Sequence, residues 1–251
     1  MTKTPLTLYT FSVSHFSEKI RWALDFAHVP YTEKPLVPFF HIPTTLRLGG
    51  GKFTTVPIVV AGDEKIQDST RILNWLEANR APFPLLPKDA EERKTVMELE
   101  AQFDRMGAQL IRYAYADVLD NKEGVLTLWT LDANAVQAAV LRLAYPLLKP
   151  LFKKNGGITV ANVGKAQTMI QEALDLIAAR TSAKQPYLVG GAFSAADLTA
   201  AALLAPLVCP DEHPVYSLAS YREGIAPQVA QWQSHPAFIW VRRMYATHRR
   251  N

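Results

Sequence analysis

A single cysteine, Cys209, stands among 251 residues. With no intrachain partner it excludes a fold held by disulfides and a dithiol redox mechanism, and it points to a reducing compartment, so a cytoplasmic location is expected. Long apolar runs are also missing. The longest strongly apolar stretch, residues 198–209, is about half the length of a membrane span and contains Pro206, so it reads as a buried helix and no membrane span is expected. The first residues, MTKTPLT, hold a lysine but no apolar segment of the length a secretory signal needs, and export is not expected. There is no internal repeat and no low-complexity segment. Charge of one sign is concentrated only near the C-terminus, at Arg242, Arg243, His248, Arg249 and Arg250. Elsewhere the net +4 and the pI near 9.1 arise from basic residues dispersed among acids. Without aromatic residues interleaved in a basic stripe, no nucleic-acid partner is expected.

What is present is an ordinary globular balance, 49% hydrophobic and 20% charged, long enough for one large domain or two modest ones. The first 80 residues change element about every ten. Residues 6–11 read as a strand, 16–28 as a helix and 31–36 as a strand; 38–51 read as irregular, rich in Pro and Gly. Residues 57–60 and 65–67 then read as a hairpin about a turn at 61–64, with Ser69 capping a helix to residue 78. The order βαβ then ββα predicts one parallel pair, one hairpin and a small mixed sheet covered by helices. PFPLLP at 82–87 cannot continue a helix, and beyond it apolar residues recur at helical spacing over 90–120, 131–148, 160–180, 194–207 and 229–248. Ser194 and Asp197, three apart before an apolar run, form a capping box, with Phe193 and Leu198 as its staple.

The junction at residues 11–16 carries the chemistry. A strand running into a helix presents unsatisfied N–H groups and the positive end of the helix dipole, where an anion such as a thiolate is stabilised. Ser14 stands there. Ser14, Ser17 and Arg21, then Val56-Pro57, Asp68-Ser69, the proline linker and the capping box occur in an order and at separations that resemble the glutathione transferase superfamily. The resemblance covers nearly the whole chain. It implies a thioredoxin-like α/β N-terminal domain over 1–82, a linker at 83–91 and an all-α helical domain over 92–251. It also implies glutathione as cosubstrate, no metal, a small-molecule hydrophobic electrophile as second substrate, and a homodimer.

Residue by residue, the resemblance makes Ser14 the group that keeps the glutathione sulfur ionised, with Ser12 and Tyr9 as competitors and Ser17 buried in the first helical turn. His15 replaces a proline usual after the active residue and reads as an exposed loop histidine. Val56 and Pro57 match a cis-proline element whose Val56 main chain pairs with the cysteinyl part of glutathione. Asp68 and Ser69 would hold the γ-glutamyl ammonium and carboxylate. Lys52 or His41 would take the glycyl carboxylate, and Tyr113, with Tyr115 and Arg112, would line the second-substrate side. The implied activity is conjugation of the glutathione thiolate to electrophiles, a detoxification chemistry. The alternative is a binding or scaffold protein that keeps the fold without turnover. No account of residues 120–160 follows from the sequence.

Overall fold

The computed structural model describes residues 5–80 and 82–249; the first four residues and Arg250, read above for a leader and for charge, lie outside them. Strand β1 (Leu6–Thr10) alternates buried and half-buried side chains, as a strand with one covered face does. It pairs in parallel with β2 (Tyr31–Pro35) across helix α1 (His15–Phe26). It pairs antiparallel with β3 (Ile58–Ala61), which forms a hairpin with β4 (Glu64–Gln67). The order β2-β1-β3-β4 is the mixed sheet that the βαβ and ββα readings require. Helix α3 (Ser69–Asn79) leaves β4 through Asp68, whose φ of 91° lies in the left-handed region disfavoured for a side-chain-bearing residue.

Residues 38–51 depart from their irregular reading. Ile42–Leu48 is a helix, α2, with Pro43 in its first turn, where a missing N–H breaks no intrahelical bond. Gly50 and Gly51 end this segment at φ 67° and 80°, a conformation that suits glycine.

Beyond the proline-rich stretch the described chain is helical. Helix α4 (Ala90–Val118) is followed by α5 (Lys122–Trp129), α6 (Ala135–Asn155), α7 (Val160–Arg180), α8 (Ala195–Val208), α9 (Ala219–Val229) and α10 (Pro236–His248). The helix expected over 131–148 is α6, shifted because Asn134 and Gln137 form a capping box. It runs on past Pro146 and Pro150, which both stand on its exposed side, where water serves the carbonyls they leave unbonded. The single helix expected over 229–248 is broken by a 3₁₀ turn (Ala230–Trp232) and restarts where His235 accepts from the Ala237 N–H ahead of Pro236.

Every residue of α8 is buried, and α1, α4 and α10 surround it. Its capping box is closed by Asp197, whose carboxylate accepts from the Ser194 and Leu188 N–H groups at 2.9 and 2.8 Å. Burial nevertheless lifts this carboxyl to about 6. From α1, Trp22 enters the same core between Phe193 and Tyr245 and donates to the His248 carbonyl at 3.1 Å. Truncating so large a buried ring costs about 3–5 kcal/mol. That packing fixes α1, and with it the Ser14 end, against the helical domain. Among the described residues no helix is long and apolar enough to cross a membrane.

Candidate functional site

Ser14 is the N-cap of α1. Its backbone is extended, and its Oγ accepts from the Ser17 N–H at 3.1 Å. A hydroxyl that accepts at oxygen keeps its own O–H to donate, and this half-buried group sits at the positive end of the helix. Ser17 is buried and its Oγ takes the Phe11 N–H at 3.4 Å, so its side chain is spent on the turn. Tyr9 lies on β1, with the Lys34 ammonium over its ring.

The loop that carries Ser14 is fastened by residues far away in sequence. Ser12 donates to Asp132 at 2.9 Å, and the Tyr216 hydroxyl donates to the Val13 carbonyl at 2.6 Å. The Arg21 guanidinium holds the Phe11 carbonyl at 3.0 Å. His15, expected to be an exposed loop residue, is only 2% exposed and donates through Nε2 to the Gly107 carbonyl of α4 at 3.0 Å. Burial pushes its imidazole down to about 4, which keeps it neutral. The side chain follows α1 inward because it is the first helical residue, packed beside Phe16.

Next to this loop lies the segment before β3. Its Val56–Pro57 peptide bond is cis, as the resemblance implied. The Gln67 amide at the end of β4 donates to the Thr55 carbonyl at 2.7 Å and fixes the approach to Val56. Lys52 is exposed in the same segment. His41, just before α2, meets Phe11 edge-on at 4.8 Å, which brings the α2 entrance beside the Ser14 loop; partial burial lowers its pKa.

The α3 N-terminus is built differently. Asp68 is exposed and caps the helix by accepting from the Arg71 N–H at 3.0 Å. Ser69 is 3% exposed, and its hydroxyl joins a buried ion cluster. It accepts from Lys19 Nζ at 3.2 Å and donates to Asp104 at 3.3 Å. Lys19 is fully buried and bonds Glu100 at 2.5 Å and Asp104 at 2.8 Å, while Thr70 donates to Glu100 at 2.7 Å. Glu100 is buried and Asp104 keeps 26% of its side chain exposed. Lys19, Glu100 and Asp104 were not singled out from the sequence. The signal was there: two acids four residues apart on the α4 face that also presents Val96, Leu99 and Phe103 to the core.

The expected second-substrate residues separate. Tyr113 packs against Trp232 and donates to the Gln228 carbonyl at 2.6 Å, within the contact of α4 with α9 and the 3₁₀ turn. Arg112 donates to the Gly156 carbonyl at 3.0 Å beyond the end of α6. Tyr115 alone of the three faces the space beside Val13. There, with Tyr216 and Tyr221, it leaves a cavity of only about 20 Å³. Burial pushes Tyr115 up to about 12. Among the described residues no group of His, Cys, Asp and Glu is arranged to hold a metal ion.

The family description "Glutathione S-transferase, N-terminal domain" matches residues 8–84, the segment that holds Ser14, Val56, Pro57, Asp68 and Ser69. Among solved structures, the chain is similar to a glutathione S-transferase of Methylobacterium radiotolerans in complex with glutathione sulfonate. Identity is 18% over 94% of this chain and 93% of that one, with a TM-score of 0.56. A glutathione S-transferase of Methylobacillus flagellatus KT with glutathione bound is 16% identical over 94% and 98% of the chains, with a TM-score of 0.56. The beta-etherase LigF of Sphingobium sp. strain SYK-6 is 16% identical over 94% and 98%, with a TM-score of 0.61. No curated protein matches the sequence. Likeness at these identities is a likeness of fold, and the thioredoxin-like sheet followed by a helical bundle is that fold. Residues 8–84 thus match the N-terminal domain of glutathione S-transferases, and the chain shares the fold of the solved glutathione S-transferases.

Proposed function

We propose that the protein is a glutathione transferase in which Ser14 activates the thiol. The observation that carries this reading is the Ser14 geometry: a half-buried hydroxyl at a helix N-terminus, its oxygen already accepting from Ser17, its hydrogen available to a sulfur anion. A hydrogen bond to a charged acceptor contributes about 1.5–3 kcal/mol. This lowers a thiol pKa by roughly one to two units from about 8.5, enough to make most of it nucleophilic near neutrality. The thiolate then attacks an electrophilic carbon, forming a thioether as the leaving group departs with the bonding electron pair.

In this reading residues 1–82 form the glutathione-binding domain, 83–91 the linker and 92–251 the helical domain. The Val56 main chain pairs with the cysteinyl unit. The γ-glutamyl carboxylate meets the N–H groups at the start of α3, above the buried Lys19 cation. Its ammonium meets Asp68 and the exposed edge of Asp104. Lys52 or His41 faces the glycyl carboxylate, and Tyr115 rather than Tyr113 borders the electrophile. The protein acts as a cytoplasmic homodimer.

One observation favours the alternative, a glutathione-binding protein without turnover. The apolar space beside Val13 is about 20 Å³, whereas pockets for drug-sized ligands hold roughly 300–1,000 Å³. An ultraviolet titration of bound glutathione separates the readings. For the transferase, the bound thiol ionises one to two units below free glutathione and Ser14→Ala abolishes that shift. Binding with no thiolate signal below the ordinary thiol range rejects it in favour of the second reading.

A further inference from the structure

Helix α6 turns an apolar face to solvent. Val136, Val140, Leu143, Leu147 and Leu151 are exposed by 73, 46, 85, 77 and 46%. Steps of four, three, four and four residues set them in a line along one side of the helix, opposite the buried Leu141 and Tyr145. Single exposed leucines are ordinary, but five in line expose on the order of 600 Å², the upper end of the largest apolar patch on a typical monomer.

We propose that this face is covered by the same face of a second copy of the chain, the two α6 helices packing antiparallel across a two-fold axis. Three observations choose this occupant. The stripe is self-complementary: an axis between Leu143 and Leu147 sets each Leu143 on the other copy's Leu147, Val140 beside Pro150 and Leu151, and Val136 along the stem of Lys154. The four-three-four spacing is that of a helix-pair seam, and a face that meets itself is what an isologous contact requires. Its area is also sufficient. Covering the stripe on both copies withdraws about 1,200 Å², the lower bound of specific interfaces.

The stripe lacks the aromatic anchors of a helix that lies on lipid. On its flank Arg142 pairs with Glu123 at 2.7 Å and Lys149 with Asp120 at 2.5 Å, while Lys153 and Lys154 at the end of the helix are exposed. The faces of α3 and α4 are poorer in apolar surface. Among the described residues none of the large exposed hydrophobic side chains lies on them, and Glu77 pairs with Arg93 there.

Sedimentation equilibrium of the full chain tests the proposal. Wild type should weigh twice 28.0 kDa at micromolar concentration. Leu143→Glu/Leu147→Glu should weaken the dimer at least a hundredfold, because it sets four carboxylates against one another, with an unchanged circular dichroism spectrum. Glu77→Arg, on the α3–α4 side, should leave the dimer intact. A wild-type monomer overturns the proposal, as does a double variant that stays dimeric. So does a wild type that floats with phosphatidylglycerol vesicles through this face instead of self-associating.

Discussion

The N-termini of α1 and α3 carry the same device, a serine where a helix starts beside the sheet, and the surrounding structure gives the two hydroxyls opposite surroundings. Ser14 is half-buried and is tied only to its own helix, through the Ser17 N–H. Ser69 is buried and tied to two other helices, to Lys19 of α1 and Asp104 of α4. A serine bonded locally keeps its O–H for a ligand, whereas one bonded to a buried ammonium and carboxylate has spent both donor and acceptor. The pair teaches that a helix-start serine is a candidate anion contact only until the charges beneath it are known.

The sharpest way to break the comparison is to remove the charge beneath Ser69. Lys19→Met leaves Glu100 buried and Asp104 partly buried without their cation, and should destabilise the protein by about 3–5 kcal/mol. Lys19→Met/Glu100→Gln should recover part of that loss, because the surviving buried group is then neutral. Denaturant unfolding with one fitted slope measures both. Equal stability of wild type and Lys19→Met would show that the cluster does not hold α1, α3 and α4 together.

The Ser14 side has its own support in His15, and pH reads it. Burial lowers this imidazole from 6.5 to about 4. As pH falls through 6.5 the unfolded chain takes up the proton first, so stability is lost from there down to about 4 and no further below. The loss amounts to about 3 kcal/mol. His15→Asn cannot titrate. The stability difference between wild type and this variant should therefore move by that amount, against the wild type, between pH 6.5 and 4. Asp197 works in the opposite direction over part of this window, because its carboxyl is raised to about 6 and folding gains as it protonates. The difference between the two proteins, not either curve alone, is the measurement, and a flat difference would mean that His15 is solvated.

Much of this was legible in the sequence, and the failures have physical causes. The sheet followed from βαβ and ββα order alone, and the capping box at Ser194 and Asp197 is local chemistry that the buried core leaves intact. Helix α2 was hidden because Pro43 reads as a breaker unless its first-turn position is known. The core charges were hidden because Lys19 is brought to Glu100 and Asp104 only by folding, over 81 and 85 residues. His15 and Tyr113 were misplaced for the same reason: Gly107 and Gln228, which hold them, are distant in the chain.

Capping and thiol activation at Ser14 separate by choice of substitution. Ser14→Ala removes the cap and the donor together, costing about 1 kcal/mol of stability, whereas glycine at an N-cap costs only a few tenths. Both variants lack the hydroxyl, so both should lose the thiolate shift of about 1.5–3 kcal/mol that the donor supplies. Turnover that follows stability rather than the hydroxyl would assign Ser14 to capping alone.

The smallest effect is expected at Ser69, and it decides whether the two serines differ in function as they do in structure. If the hydroxyl gripped the γ-glutamyl carboxylate directly, Ser69→Ala would weaken glutathione by about 1.5–3 kcal/mol, the worth of a hydrogen bond to a charged group. With that hydroxyl bonded to Lys19 and Asp104, the substitution should instead cost about 0.5–1.5 kcal/mol of folding stability. The peptide's affinity should then change by less than about 0.5 kcal/mol, because the main-chain N–H groups at the start of α3 survive. Calorimetry of glutathione binding alongside thermal unfolding distinguishes the outcomes. A large affinity loss at unchanged stability would mean that ligand binding pulls Ser69 out of the ion cluster, and the contrast with Ser14 would then belong only to the unliganded protein.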